Sequence, residues 1–269
     1  MVNVGILGAT GMVGQRFIQL LDNHPDFEIT ALAASSRSAG KRYEDATTWY
    51  LDNEMPDSVK DIIVKETDAD AMDNDVDIVF SSLPTEFAAK VEKDFARDYV
   101  VASNASAHRM KKNIPLVIPE VNPEYLDMID AQQKENNWDG FIVTNPNCST
   151  IQMCVALKPI NDYSKIKRVI VSTYQAVSGA GQEAMDELVE QTREVLAGEK
   201  PTVKMFQHQI ALNLIPHIDV FKDNYYTKEE MKMTLETQKI FNDYDMLISA
   251  TTVRVPILRS HSESITVET

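Results

Sequence analysis

Thr144-Asn145-Pro146-Asn147-Cys148-Ser149-Thr150 places one cysteine directly after an Asn-Pro-Asn turn and directly before the apolar run 151–157, which is long enough to open a helix. A thiol at a helix N-terminus sits at the positive end of the backbone dipole, which favours the thiolate and makes it a nucleophile near neutral pH. The competing assignment is an inert core residue, since cysteine is among the most buried residue types. Cys154, on the interior of the same helix among Met153, Val155 and Leu157, fits that second description. The two cysteines are six positions apart, the spacing of neither a redox CxxC pair nor a metal pair, and no metal site is expected.

A second stretch with chemical content lies at the start. Val2 to Leu7 reads as a short apolar strand, followed by Gly8-Ala9-Thr10-Gly11-Met12-Val13-Gly14 and a helical pattern over Gln15 to Leu21. In the order strand, glycine turn, helix, the first glycine permits the tight turn, the second lets a phosphate approach the backbone, and the third lets the helix pack on the strand. The pyrophosphate of a dinucleotide would then meet unpaired N–H groups at the helix start. The spacing is GxxGxxG, a dinucleotide-binding variant; the bland reading is a purely structural turn. The second strand, Glu28 to Ala34, ends in Ser35-Ser36-Arg37-Ser38, where an NAD-binding unit would be expected to carry an acidic residue for the ribose 2′-hydroxyl. Hydroxyls and a guanidinium suit the 2′-phosphate of NADP instead, with Lys41 close by in sequence.

The elements that must position these groups follow in order. Asp77-Ile78-Val79-Phe80 and Tyr99 to Ser103 read as further buried strands, with a helix over Glu86 to Arg97 between them. A Pro-punctuated loop spans residues 114–123, and Phe141 to Thr144 is the last strand of this half. Its C-terminal end is expected to deliver Cys148 to the edge that carries the glycine loop, where open parallel sheets bind ligands. Beyond the Cys148 helix come a β-branched strand, Lys167 to Tyr174, the segment Gln175 to Gly181, and a helix over Gln182 to Leu196. Residues 201–226 are mixed and apolar. Thr227 is a plausible N-cap with Glu230 three residues on, part of a capping box, for a helix running to about Asn242. Met246 to Val255 is a strand carrying Arg254, and Pro256 to His261 turns back into a strand over Glu263 to Val267. The fold class is α/β: a Rossmann-type domain with a parallel sheet over residues 1–147, then an α+β domain over 148–269.

The totals narrow the function. With 269 residues, 43% hydrophobic and 25% charged, the chain can bury a sizeable core. A net charge of −15 argues against nucleic acid or an anionic membrane as partner. No apolar run approaches the ~20 residues of a membrane helix. The N-terminus runs into structure without a basic lead, so no signal peptide is expected, and two cysteines in such a length point to a reducing, cytoplasmic setting.

At Cys148 and Gln175 the chain resembles aspartate-β-semialdehyde dehydrogenase of the archaeal-type branch. The likeness is carried along the whole length by GATGMVG, AASSRSAGK, SSLP, SNASAHR, PEVN, NPNCST, YQAVSGAG, the EEMK helix and RVPILRSHSES. The resemblance implies NADPH-dependent reduction of aspartyl-4-phosphate to aspartate-4-semialdehyde with release of phosphate, a step toward lysine, diaminopimelate, threonine and methionine. It implies Cys148 as the nucleophile that forms a thioester, Gln175 as the group orienting the intermediate, and His261 as general acid/base. Arg254 would meet the substrate α-carboxylate and Glu229 its amino group, while Arg109 and Lys232 would hold the departing phosphate. Gly8, Thr10, Gly11, Met12 and Val13, then Ser35, Ser36, Arg37 and Ser38, with Ser178 and Gly179, would bind NADP. The second domain would join copies into a homodimer or homotetramer. Family members carry a further return segment after the point where this chain stops, so the resemblance reads it as a shortened copy.

Two other readings compete. A malonyl-CoA reductase shares the cysteine and NADPH apparatus but has no use for an amino-group partner such as Glu229; a non-catalytic NADP-binding fragment would leave Cys148 no more reactive than Cys154. His24 reads as a loop residue, and His108, His208 and His217 as structural or surface groups. Glu229 and Lys232, three apart, would face the same way on a helix.

Overall fold

Alternation along β1 (Val2–Leu7) sends Val4 and Ile6 to one face of a sheet and Leu7 to the other. Both faces are covered, which is what a parallel sheet requires. The computed structural model describes residues 1–72 and 75–269, and divides them into two units, Met1–Pro146 and Asn147–Thr269.

In the first unit β1 leads through α1 (Met12–Leu21), β2 (Phe27–Ala34), two short helical turns, α2 (Tyr43–Ala46) and α3 (Asp57–Lys60), and β3 (Lys65–Glu66). The chain continues with β4 (Ile78–Ser81), α4 (Thr85–Phe95), β5 (Val100–Ser103), α5 (Ile129–Asn136) and β6 (Phe141–Thr144). The strands lie in the order β3-β2-β1-β4-β5-β6 and every pair is parallel. Leu7, Ser81, Ser103 and Thr144 stand in register across β1, β4, β5 and β6. All the C-terminal ends, and the loops that follow them, therefore share one edge. The order reverses between β1 and β4, the switch point at which such sheets open a crevice.

One face packs Val79, Val101, Ile142 and Phe95; the other packs Ile6, Ile18, Leu32 and Tyr43. Cutting back a fully buried member such as Ile142 to alanine would cost about 2–5 kcal/mol. At β6 the Gln132 side chain of α5 imitates a strand: its amide donates to the Ile142 carbonyl (3.0 Å) and accepts from the Ile142 N–H (2.7 Å). Among the differences from the sequence expectation are an additional strand and a shifted helix end. β3, only two residues long, was too short to carry a period, and the helix expected over Glu86–Arg97 spans Thr85–Phe95 because the Ala96 N–H closes its last turn on the Glu92 carbonyl.

The second unit contains α6 (Cys148–Tyr163), β7 (Arg168–Gln175), α7 (Gln182–Leu196), α8 (Lys228–Ile240), β8 (Leu247–Arg254) and β9 (Ser262–Glu268). Its sheet has the order β8-β7-β9, with β7–β8 parallel and β7–β9 antiparallel. Alternate residues Val169 and Val171 of β7 pack with Met153 and Leu157 of α6 and Met233 of α8. The opposite face leaves Ile170, Tyr174 and Leu247 exposed. The capping box of α8, only half expected from sequence, is complete: Thr227 Oγ1 accepts the Glu230 N–H, and the Thr227 N–H donates to Glu230 Oε2 at 2.7 Å. α6 runs on past the apolar stretch through Pro159 to Tyr163.

Candidate active site

The glycine loop leaves β1 with Gly8 at φ +77°, a conformation that favours glycine. A Cβ there would stand 2.9 Å from Ser82 Oγ, and one on Gly14 only 2.3 Å from the Gly8 carbonyl oxygen. The first glycine thus makes the turn beside β4, and the third lets α1 close on the loop. Gly11 is the N-cap of α1, and no side chain caps it or places an acid in its first turn. The N–H groups of Met12, Val13 and Gly14 are left pointing at whatever approaches, the condition for holding a phosphate. Thr10 is drawn into the turn through its carbonyl, which accepts from Thr47 Oγ1 at 3.1 Å. After β2, Ser35, Ser36 and Arg37 are exposed in a turn closed by the Ser38 N–H on the Ser35 carbonyl (2.9 Å). Both sets sit on the C-terminal edge of the first unit's sheet.

On that edge, the loop after β5 carries Arg109, buried and donating to the Asn104 carbonyl at 2.8 Å. Beneath it lies a buried polar network that the sequence reading did not anticipate. Glu92 of α4 accepts from Ser81 Oγ (2.6 Å) and Ser103 Oγ (2.7 Å), tying the ends of β4 and β5 together, and its other oxygen lies 3.5 Å from His108 Nε2. Lys111 Nζ lies 2.8 Å from His108 Nδ1, so the ring accepts there and is neutral. Burial, reinforced by Lys111, pulls His108 down to about 4; burial also raises the Glu92 carboxyl above its ordinary value, against the two serine hydroxyls.

The second unit gathers another set at one end of its sheet. Gln175 and Arg254 are register partners at the C-terminal ends of β7 and β8, and His261 immediately precedes β9, whose Ser262 pairs with Tyr174. Arg254 is buried and donates to the Ala176 carbonyl at 2.7 Å. Burial pulls its guanidinium below the usual value, while the Glu229 carboxylate and the Cys148 sulfur act in the opposite sense. The Ala176 N–H donates to His261 Nδ1 at 3.0 Å, so the neutral ring carries its proton on Nε2. Burial first, then Arg254, lowers the His261 pKa. Gly179 is the gap beside them: a Cβ there would come within 3.0 Å of Arg254 and 3.3 Å of His261. Ser178 precedes it in the same turn, its N–H on the Leu258 carbonyl.

Glu229, in the first turn of α8, receives Asn147 Nδ2 (2.9 Å) and Gln175 Nε2 (3.5 Å) on one oxygen and Lys232 Nζ (2.9 Å) on the other. Burial would raise its pKa, but Lys232 and these donors win and hold it below the ordinary carboxyl value. Cys148 is the first residue of α6 and is exposed; Cys154 is buried, and burial pushes its thiol up to about 12. The second unit therefore brings together Cys148, Gln175, Ser178, Gly179, Glu229, Lys232, Arg254 and His261, while the glycine loop, Ser35 to Ser38 and Arg109 belong to the first. Asn147 and Glu236 were missed. Asn147 is legible in hindsight as an N-cap residue ahead of a helix, whereas nothing in the sequence marks Glu236. Among the described residues no group of His, Cys, Asp and Glu could hold a metal ion.

Residues 3–129 match the model of the semialdehyde dehydrogenase NAD binding domain, and residues 157–269 that of the semialdehyde dehydrogenase dimerisation domain. The aspartate-semialdehyde dehydrogenase of Methanothermobacter thermautotrophicus is 51% identical over 276 residues, covering 100% of this chain and 71% of the relative. That of Aquifex aeolicus is 46% identical, covering 99% and 73%. Among solved structures, aspartate semialdehyde dehydrogenase II of Vibrio cholerae complexed with ASA superposes with a TM-score of 0.83 at 42% identity, covering 100% of this chain and 74% of that one. The Candida albicans enzyme with NADP gives 0.79 at 34% identity, covering 100% and 71%.

Proposed function

This chain belongs to the aspartate-semialdehyde dehydrogenase family, and on that premise we propose that it reduces aspartyl-4-phosphate to aspartate-4-semialdehyde with NADPH, releasing phosphate, in amino-acid biosynthesis. The observation that carries the reading is the charge pattern around Cys148. Glu229 is kept ionised although buried, and Arg254 and Lys232 stand beside it. A substrate with an ammonium, a carboxylate and a phosphate supplies the three complementary charges. A CoA thioester would bring no cation for Glu229, which disfavours the malonyl-CoA reductase alternative. The exposed Cys148, beside a Cys154 held protonated by burial, disfavours the non-catalytic one.

NADP is the cofactor, and the glycine cradle with its uncapped α1 N-terminus fits the pyrophosphate while Ser35, Ser36, Arg37 and Ser38 suit the 2′-phosphate. Bound NADPH supplies the hydride that reduces the acyl carbon. Cys148 attacks the acyl phosphate as thiolate, the C–S bond forms as the C–O bond to phosphate breaks, and phosphate leaves toward Lys232. Arg254 holds the α-carboxylate and Glu229 the ammonium, which displaces Lys232 from the carboxylate and turns its charge to the phosphate. His261 acts through Nε2: its N–H steadies the oxyanion of each tetrahedral species, and the last one collapses to the aldehyde as the thiolate is expelled. Gln175 orients the thioester from the end of β7.

The first unit would serve the cofactor, and the second catalysis and dimerisation, with the exposed Ile170, Tyr174 and Leu247 face available to a homodimer or homotetramer. Among the described residues no helix is long and apolar enough to cross a membrane, and a cytoplasmic site is proposed. The decisive assay is phosphate-dependent oxidation of aspartate semialdehyde, followed as NADPH absorbance. Activity with malonyl-CoA alone would overturn the reading. Arg37→Ala should weaken NADPH about 10-fold or more and leave NADH nearly unchanged; equal losses would remove the 2′-phosphate assignment.

A further inference from the structure

Glu236 has no part in the chemistry above, yet it spends a buried carboxylate on the residue just before the nucleophile. We infer that Glu236 is a positioning residue for Cys148, acting through Asn147; this rests on Cys148 being the nucleophile. Glu236 Oε2 accepts the Asn147 backbone N–H at 2.6 Å, and the residue is 2% exposed. Asn147 in turn caps α6, its Oδ1 accepting the N–H groups of Ser149 (3.0 Å) and Thr150 (3.3 Å). Its Nδ2 donates to Glu229. Main chain and side chain of Asn147 are thus held on three sides, by α6 itself and by two glutamates two turns apart on one face of α8.

The geometry reaches the nucleophile because Cys148 is the next residue. The N–H held by Glu236 and the ψ of 145° at Asn147 set the plane from which the Cys148 Cα departs. A solvent-exposed turn could give that N–H to water at no cost. A buried carboxylate is expensive unless well partnered, so placing one on the main chain directly before Cys148 points to a fixed position there. The charge of Lys239, one turn on, answers that of Glu236 electrostatically. Reacting groups displaced by about 1 Å can lose on the order of 100-fold in rate.

The test compares the full chain with E236A and E236Q, reading kcat, KM for aspartate semialdehyde, and the rate of iodoacetamide alkylation at Cys148. E236A removes the acceptor and is expected to lower kcat about 10- to 100-fold, with KM nearly unchanged and alkylation of Cys148 slowed. E236Q keeps an acceptor oxygen and should restore most of both rates. Should E236A fail to fold, E236D, which draws the oxygen back by one methylene, takes its place with the same expectation. A folded E236A or E236D with wild-type kcat and alkylation rate overturns the proposal, as does an E236Q no faster than E236A. The underlying reading fails separately: in that case alkylating Cys148 of the unaltered protein would leave its activity intact.

Discussion

Glu92 in the first unit and Glu229 in the second are both almost fully withdrawn from solvent, and their carboxyls move in opposite directions. Burial is the largest influence on each and pushes both toward the neutral form. What differs is the partners. Glu92 meets two serine hydroxyls and a neutral imidazole, none of which carries charge. Glu229 meets an ammonium at 2.9 Å together with two amide donors, and these overcome the burial. One carboxyl ties two strand ends together, and burial outweighs its hydroxyl donors and raises its pKa. The other is held ionised by Lys232, and on the proposed reading an incoming ammonium takes that place. Burial alone does not set the direction in which a carboxyl shifts; the charge of its nearest donor does.

That contrast can be broken experimentally. The largest effect is expected from Glu229→Gln, which removes the charge that answers Lys232 and Arg254 and, on the proposed reading, the substrate amine. Loss of one charge-assisted bond of about 1.5–3 kcal/mol predicts a kcat/KM for aspartate semialdehyde lower by roughly 10- to 150-fold. A change under threefold in steady-state kinetics would mean that Glu229 does not meet the substrate. The next effect concerns acid. His108 is neutral in the folded chain, with a pKa of about 4 against an ordinary 6.5, so the unfolded state binds its proton first as pH falls. Its contribution is complete above about 6.5 and is lost progressively down to about 4, the loss reaching about 2.5 kcal/mol at pH 4.5. The raised Glu92 carboxyl works in the opposite sense, its contribution present below the ordinary carboxyl value and fading as pH rises. Urea melts of His108→Gln and the parent at pH 7 and 4.5 separate the two, the variant losing less on acidification. The smallest effect belongs to Glu92→Gln. An amide can still accept from one serine and donate to another acceptor, so unfolding free energy should change by only about 1 kcal/mol and kcat/KM by less than threefold. If Glu92→Gln costs as much activity as Glu229→Gln, the comparison fails.

The parts of this arrangement that could be read from sequence are those whose meaning is local. GATGMVG is a loop whose turn and close helix packing follow from its glycines and the strand and helix on either side, and NPNCST sets a cysteine at a helix start. The strand edges followed from alternation and from apolar runs ending in serine or asparagine. Glu92 was illegible because it stands among Lys90, Lys93 and Asp94 on a helix that looks solvated. Only Ser81 and Ser103, each eleven residues away, reveal that it points inward. Glu236 hides in the same way in α8, where Glu229, Glu230 and Lys239 are also buried and hydrophobic spacing marks no face. The tautomer of His261 depends on a main-chain N–H 85 positions earlier in the chain. Charges in a core are placed by tertiary partners, and periodicity does not record them.

The central strand of the second sheet has a consequence for synthesis. β7 is made first, but both of its neighbours, β8 and β9, come from much later in the chain, with Arg168 pairing with Leu247 on one side and Glu268 on the other. At about 5–20 residues per second, a ribosome needs on the order of 5–20 s to travel from the central strand to the last residue that pairs with it. Until β8 emerges Val169 and Val171 have no sheet to join, and until β9 follows the platform for Gln175, Arg254 and His261 is incomplete. In the first sheet β1 waits as long for β4 but finds its first partner, β2, soon after it is made, with Val2 pairing with Phe27. That sheet's cofactor edge can be ready while the nucleophile's own surroundings are still being translated, which makes the second half of the chain the part most exposed to chaperones and proteases.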